Sequence, residues 1–186
     1  MEDDNHLVTR AQGGDRQAFA ALYDRHVDAI YRYALLRTPS PELAEDLTED
    51  VFLRALQSLS RYRPDQPFRH WLYRIAHNRA VDEIRRYDQR NTSLEALDEQ
   101  GWQVAGHGPS PLQAAITAED VRTVREALTT MSAEEQTVLT LRFVDDMAYQ
   151  DVAPILGKSE GACRVLLHRA LKKLADKLTV TGGVTP

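Results

Sequence analysis

Tyr149-Gln-Asp-Val-Ala-Pro-Ile-Leu-Gly-Lys-Ser-Glu-Gly-Ala-Cys-Arg-Val-Leu-Leu-His-Arg-Ala-Leu-Lys-Lys-Leu-Ala-Asp-Lys177 reads as two helices meeting at a tight turn. The first, Tyr149 to Leu156, carries Val152, Ala153, Ile155 and Leu156 as its apolar side. Gly157 supplies the positive φ that such a turn requires. Ser159 stands at the N-cap of a longer helix, from Glu160 to about Leu178, expected to bury Ala162, Val165 or Leu166, and Ala170. Its opposite side, Arg164, His168, Arg169, Lys172 and Lys173, is basic. The start of such a helix offers free N–H groups to phosphate, and its first turns fit the major groove of duplex DNA. A plain helical hairpin has the same apolar pattern; the basic exposed side is what favours DNA. Pro154 removes a backbone donor and predicts a short or kinked first helix, and Ala148 gives that helix no side-chain cap.

Upstream of this stretch the pattern stays helical. Ser132 with Glu135 forms a capping box ahead of Val138, Leu139, Leu141 and Phe143, and Leu112, Ile116, Val121, Val124 and Leu128 mark a further helix. From Asn91 to Pro111 the periodicity fails and Gly101, Gly106, Gly108, Pro109 and Pro111 cluster, so 91–111 is expected to be a flexible linker. In the N-terminal half, Asp15 caps a helix with Phe19, Leu22, Tyr23, Ile30 and Ala34 inward. Ser40 before Pro41 starts a second, burying Leu43, Leu47, Val51, Phe52, Ala55 and Leu59. Arg61 to Pro67 is a loop. A third helix, Phe68 to about Tyr87, turns Phe68, Trp71, Leu72, Ile75 and Ile84 inward. No period-two alternation long enough for a strand occurs. The expected class is all-α, in two helical domains: residues 1–90 and 112–178, with a frayed tail at 179–186.

Charge is segregated along the 186 residues, whose formal net charge is −5. Glu42, Glu45, Asp46, Glu49 and Asp50 form an acidic run without a base. Between Arg61 and Arg90 eight arginines face four acids, a net of +4; residues 91–120 hold five acids and no base; 158–177 hold six bases and two acids, again +4. Two basic blocks on an otherwise acidic chain are expected to be two polyanion-facing surfaces rather than merely solvated faces. Aromatic and histidine side chains beside the first block (Phe68, His70, Trp71, Tyr73, His77) are the residue types that hold single-stranded nucleic acid, by stacking bases while arginines meet phosphates. Core packing competes for the same rings; for Trp71 and Ile75 it is the preferred reading, and for Arg74, Asn78 and Arg79 the surface is.

Other classes are disfavoured. Cys163 is the single cysteine, so there is no internal disulfide or multi-cysteine zinc site, and it reads as a buried packing residue. The six histidines are dispersed, and no carboxylate pair completes a metal site with His70 and His77. Gly157-Lys-Ser lacks the upstream glycine and strand of a P-loop. No catalytic constellation, cofactor or metal is expected. The acidic start is unlike a secretory signal and no stretch approaches the about 20 apolar residues of a membrane span, so a cytoplasmic location is expected.

Four motifs of the C-terminal half, Leu141-Arg-Phe-Val, Tyr149-Gln-Asp-Val-Ala, Leu156-Gly-Lys-Ser-Glu-Gly-Ala-Cys-Arg and Leu167-His-Arg-Ala-Leu-Lys-Lys-Leu, resemble region four of bacterial sigma factors, which reads the minus-35 element. Ala44-Glu-Asp-Leu-Thr-Glu-Asp-Val-Phe-Leu-Arg-Ala and Phe68-Arg-His-Trp-Leu-Tyr-Arg-Ile-Ala-His-Asn-Arg-Ala-Val-Asp resemble region two, the polymerase-gripping and minus-10-reading part. Two domains without an intervening region three resemble the extracytoplasmic-function (ECF) group of the sigma-70 family. The resemblance implies no enzyme but an initiation factor whose partners are core RNA polymerase (β and β′ subunits), promoter DNA and an anti-sigma factor. It implies polymerase contact by Asp46, Glu49, Asp50, Phe52 and Arg54. It implies minus-10 contact by Tyr62, Phe68, His70, Arg74, His77, Asn78 and Arg79, with Asn78 touching an extruded base and the Tyr62–Phe68 loop forming a pocket around it. Minus-35 contact falls to Lys158, Ser159, Glu160, Arg164, His168, Arg169 and Lys172. Glu49 stands where typical members have Gln, and Val165 and Leu166 replace polar or basic residues of the recognition helix. The alternative is a conventional helix-turn-helix regulator that binds duplex DNA as a dimer.

Overall fold

The computed structural model describes residues 2–38, 40–91, 127, 128 and 130–181, the side chains of 84–91 and 178–181 excepted. It is all-α: α1 (Asp4–Gln12), α2 (Arg16–Leu35), α3 (Pro41–Ser58), one 3-10 turn (Leu59–Arg61), α4 (Phe68–Asn91), α5 (Ala133–Phe143), α6 (Tyr149–Leu156) and α7 (Glu160–Thr181), with no strand among the described residues. Asn91, expected in the linker, and 179–181, expected in the frayed tail, are helical instead, while 92–111, the side chain of Ile84, most of the helix from Leu112 and the tail beyond Thr181 lie outside the described residues.

Local chemistry sets the boundaries. Asp15 accepts from the N–H groups of Gln17 and Ala18 to start α2, and Ser40 accepts from Leu43 with Pro41 in the first turn of α3. Ser132 and Glu135 close a reciprocal capping box on α5. α6 begins at an uncapped Ala148, contains Pro154 and ends after eight residues at Gly157, whose φ of 62° is the left-handed conformation the turn demands. Ser159 Oγ accepts from Ala162 N at 3.2 Å and opens α7. α1 was not expected from periodicity. Only Leu7 and Val8 are fully buried on it, and Asp3 caps it by accepting from His6 N.

The interior begins among α1–α4, where Leu22, Ile30, Tyr33, Val51, Phe68, Leu72 and Tyr73 are sealed from solvent, and continues without a break into Val138, Leu141, Met147, Val152, Ile155, Cys163 and Leu167. Helix α4 lies between the two modules: α2 and α3 cover one side, and α5 and α6 cover another. That double coverage changes the expected inward stripe of α4. Phe68 and Leu72 are buried as expected and Tyr73 joins them, whereas Trp71 and Ile75 are only half-buried. Phe143, expected in the core, is 62% exposed because α5 ends there, and Val165, offered as a buried residue of α7, is 52% exposed while Cys163, Leu167 and Ala170 take the inner side.

Candidate nucleic-acid and polymerase interface

On α7 the turn at Gly157 and the cap at Ser159 fix the helix against α6, so its outer face follows from its period. Ser159, Glu160, Arg164, Val165, His168, Arg169 and Lys172 are all exposed. Lys158 is half-buried and paired with Glu134 of α5 at 3.0 Å, and Lys173 is paired with Glu135 at 2.7 Å. Lys173 therefore stitches α7, and Lys158 the turn before it, to α5. Arg164 reaches Glu160 at 3.1 Å, and its guanidinium sits 4.9 Å over the Tyr149 ring, which holds Arg142 at 4.7 Å as well. A shallow cleft of about 290 Å³ opens between Arg142, Tyr149, Gln150 and Arg164. Sequence reasoning missed Arg142 and Tyr149 because each looked like a motif or core residue of its own helix; only the turn brings them together.

On α4 the expected minus-10 set divides. Asn78 is exposed, and Arg74 and His77 are half-buried. Tyr62 (5%), Phe68 (0%), His70 (8%) and Arg79 (8%) are buried, which corrects the expectation of surface positions for them. Phe68 lies in an aromatic nest, its ring centroid 5.6 Å from Tyr62, 5.5 Å from Trp71 and 5.7 Å from His26, so it has no free face for a base. Tyr62 donates its hydroxyl to Gln66 O at 2.6 Å, closing the 62–67 loop on itself. Arg79 Nε forms an ion pair with Asp50 of α3, and its Nη1 a longer one, 3.6 Å, with Asp82. Asp50 and Arg79, expected on separate surfaces, thus meet across the α3–α4 contact.

The acidic helix α3 leaves Asp46, Glu49 and Arg54 exposed and Asp50 half-buried, with Arg54 Nε 3.3 Å from Asp50. Phe52 is a further correction: at 4% exposure it faces inward, its ring 4.7 Å from that of Tyr23. Leu53 and Leu56, 53% and 51% exposed, lie beside the acids instead. Their signal was present in the sequence, because both fall off the buried stripe of α3. A half-apolar, half-acidic helix face of this kind suits a docking partner that is itself apolar and basic.

Between the two modules lies a polar junction. Thr137 Oγ1 of α5 is 3.0 Å from Tyr33 Oη, 3.0 Å from His77 Nδ1 and 3.3 Å from Arg37 Nη2. Arg37 also donates to Tyr33 O at 2.8 Å and to Thr140 Oγ1 at 3.3 Å, and its guanidinium lies 3.4 Å over the Tyr33 ring. Its Nε finds no partner among the described residues, and burial pulls its pKa below the ordinary arginine value. Burial also lowers His77, to about 4, with the Arg37 charge acting in the same direction. Arg69 Nη2 donates to Asp145 O at 3.2 Å, and His70 Nδ1 approaches Asp151 at 3.8 Å, with burial lowering the His70 pKa. Among the described residues no group of three or more His, Cys, Asp or Glu could hold a metal ion, and no helix is long and apolar enough to cross a membrane.

A bundle with an acidic helix face, joined to a helix-turn-helix with a basic outer face, defines a two-module all-α protein with surfaces of opposite charge. Residues 22–90 match the family model of Sigma-70 region 2, and residues 122–174 match that of Sigma-70, region 4. The ECF RNA polymerase sigma factor SigD of Mycobacterium tuberculosis is 32% identical, over 95% of this chain and 84% of its own. BldN of Streptomyces coelicolor, also an ECF RNA polymerase sigma factor, is 33% identical over 92% of this chain, which spans 64% of BldN. Among solved structures, CnrH in complex with the cytosolic domain of CnrY superposes with a TM-score of 0.71 at 25% identity, covering 96% of this chain and 99% of that one. The chain belongs to the ECF group of the sigma-70 family, the factors that direct promoter-specific transcription initiation. The conventional dimeric regulator is thereby set aside.

Proposed function

We propose that residues 1–90 dock on core RNA polymerase and capture the minus-10 strand, that 112–178 anchor the minus-35 element, and that 91–111 tether the two. The observation that carries this reading is the α7 face: behind a left-handed turn and a serine cap, Arg164, His168, Arg169 and Lys172 stand exposed together. Asp46 and Glu49, with Leu53 and Leu56 beside them, supply the docking face on α3. Asn78 is the exposed polar residue on α4 suited to an extruded base, with Arg74 beside it for phosphate. Burial of Phe68 and Tyr62 removes ring stacking from this scheme and leaves the loop backbone and Asn78 to handle the base.

The scheme requires movement. With α5 and α6 resting on α4, a DNA strand reaches the His70–His77 side of that helix only after the helix-turn-helix module lifts away. An anti-sigma factor holding the modules together is the partner that fits, in line with the CnrH complex with CnrY. The location is cytoplasmic and the factor performs no catalysis of its own. Run-off transcription with purified core polymerase tests the reading: a new, promoter-dependent start site is expected. Absence of polymerase association without any inhibitor refutes it.

A further inference from the structure

The 62–67 loop is held from outside its own segment by a side chain that precedes the matched region 2 model, which begins at residue 22. Gln12, the last residue of α1, donates its amide to Leu59 O at 2.8 Å and to Tyr62 O at 3.0 Å. These are the carbonyls at either end of the step from the 3-10 turn into the loop. Tyr62 N already bonds Leu59 O, and the Tyr62 hydroxyl bonds Gln66 O, so the position of Tyr62 is transmitted to the far side of the loop. Pro64 and Pro67 fix φ on either side of Asp65 and Gln66, which leaves the loop few ways to absorb a shift at its start.

Helix α1 is itself anchored where it meets the rest of the bundle. Leu7 and Val8 are buried, and Asp4 bonds Arg25 at 2.5 Å and His26 at 2.8 Å, the latter ring lying against Phe68. The opening turn of α1 also faces the loop across a cleft of about 300 Å³ lined by Asp3, Asn5, Pro64, Gln66 and Phe68. A strut fixed at both ends thus sets the loop from a distance.

We propose that Gln12 is a positioning residue for minus-10 base selection: by clamping Leu59 and Tyr62 it fixes the loop geometry against which an extruded base is judged. This rests on the reading that the loop handles the minus-10 strand. Gln12 is exposed apart from its amide contacts, so its replacement leaves the core intact. The test uses full-length factor with core polymerase on a promoter set carrying every single-base change across the minus-10 element. Three variants are compared with the unaltered chain: Gln12→Leu, Gln12→Glu, whose carboxylate cannot donate, and the doubly changed loop Arg63→Ala with Asp65→Ala.

Losing the two hydrogen bonds is expected to flatten base discrimination about fivefold in both Gln12 variants, with core affinity and thermal midpoint unchanged. A uniform fall in transcription across all promoters, or an unchanged profile, in the Gln12 variants overturns the inference while the loop variant still alters the profile. An unchanged profile in the loop variant overturns the reading of the loop itself, and the inference with it.

Discussion

Replacing Thr137 with Val keeps the shape of a fully buried side chain and deletes one hydroxyl at the junction between the modules. Thr137 Oγ1 has one proton and two lone pairs, and it is shared among Tyr33 Oη and His77 Nδ1 at 3.0 Å, Arg37 Nη2 at 3.3 Å and Ala133 O at 2.8 Å. The added methyl leaves the Tyr33 hydroxyl and the His77 nitrogen unpartnered and Arg37 with one acceptor fewer; Ala133 O keeps its helical N–H. Orphaning the fully buried Tyr33 hydroxyl costs about 1–3 kcal/mol and orphaning the half-buried His77 nitrogen about 1 kcal/mol, so the closed arrangement loses roughly 2–4 kcal/mol. When the modules separate, water satisfies all of these groups, so the loss falls on closure and not on the fold of either module. At about 1.4 kcal/mol per tenfold, the open-to-closed ratio should rise by roughly 30- to 1,000-fold. Cysteines at Glu49 and Lys172 in a Cys163→Ala chain, labelled for single-molecule energy transfer, report the ratio directly. Thr137→Ser, which keeps the hydroxyl, should behave as the unaltered chain does. An unchanged distance distribution in Thr137→Val with helicity intact refutes the argument that this network holds the modules together.

Acidification should open the same junction. The His77 ring is held down to about 4 from an ordinary 6.5 by burial and by the Arg37 and Lys158 charges, with Glu134 opposing. A base whose pKa is lower in the closed form favours closure fully above pH 6.5, and that contribution is lost as pH falls from 6.5 toward 4; the open fraction should rise across that window, and His77→Gln should reduce the dependence, leaving the share of His70. Asn78→Ala should weaken open-complex formation, read by permanganate reactivity, more than polymerase affinity; equal losses argue against base capture. Asp50→Asn strips buried Arg79 of the closer of its two ion-pair partners and should cost about 2 kcal/mol in denaturant unfolding, whereas Asp46→Asn should spare stability and lower core affinity. Gly157→Ala forces a Cβ into a φ of 62° and should cost about 1 kcal/mol in thermal stability, despite nothing lying within 4 Å of the added carbon.

What could be read in advance was local. The caps at Asp15, Ser40, Ser132 and Ser159 and the turn at Gly157 depend on residues within three or four positions of one another, and the structure has each of them. The exposed run Arg164, His168, Arg169 and Lys172 of α7 was equally accessible, because a helix buried on one side only reveals its period, although Val165 joins that face and Lys173 turns to Glu135. Helix α4 defeats that logic, since it is covered from two directions and has no single apolar stripe. Its second cover arrives from α5 and α6, through contacts such as His77 to Thr137 that are separated by 60 residues. Charge patterning failed at Arg79 for the same reason: an arginine in a basic block looks like a phosphate ligand until a carboxylate from another helix reaches it. α1 went unread because its short apolar run, Leu7 and Val8, is framed by charged residues that bond to α2, a tertiary fact with no periodic trace.

The choice of partners at the junction explains how a closed arrangement can still be reversible. Arg37 is buried yet faces hydroxyls, a carbonyl and an aromatic ring, with no carboxylate within ion-pair distance among the described residues. Desolvating a guanidinium costs several kcal/mol, and neutral acceptors return less of that than a carboxylate would. A carboxylate at position 137 or 140 would bind the cation tightly, and separation of the modules would then expose two charges that had neutralised each other. With threonines there, closure is supported by apolar contacts between α4 and the helix-turn-helix and by the Thr137 hydrogen bonds, while the desolvated Arg37 cation pulls the other way. Thr140→Asp therefore discriminates between a poised junction and a merely packed one. It should lower the open fraction and suppress promoter-dependent transcription without lowering polymerase affinity for the acidic face of α3, which lies away from the change. If the aspartate instead opens the modules, the buried Arg37 is already satisfied and the balance described for this junction is wrong.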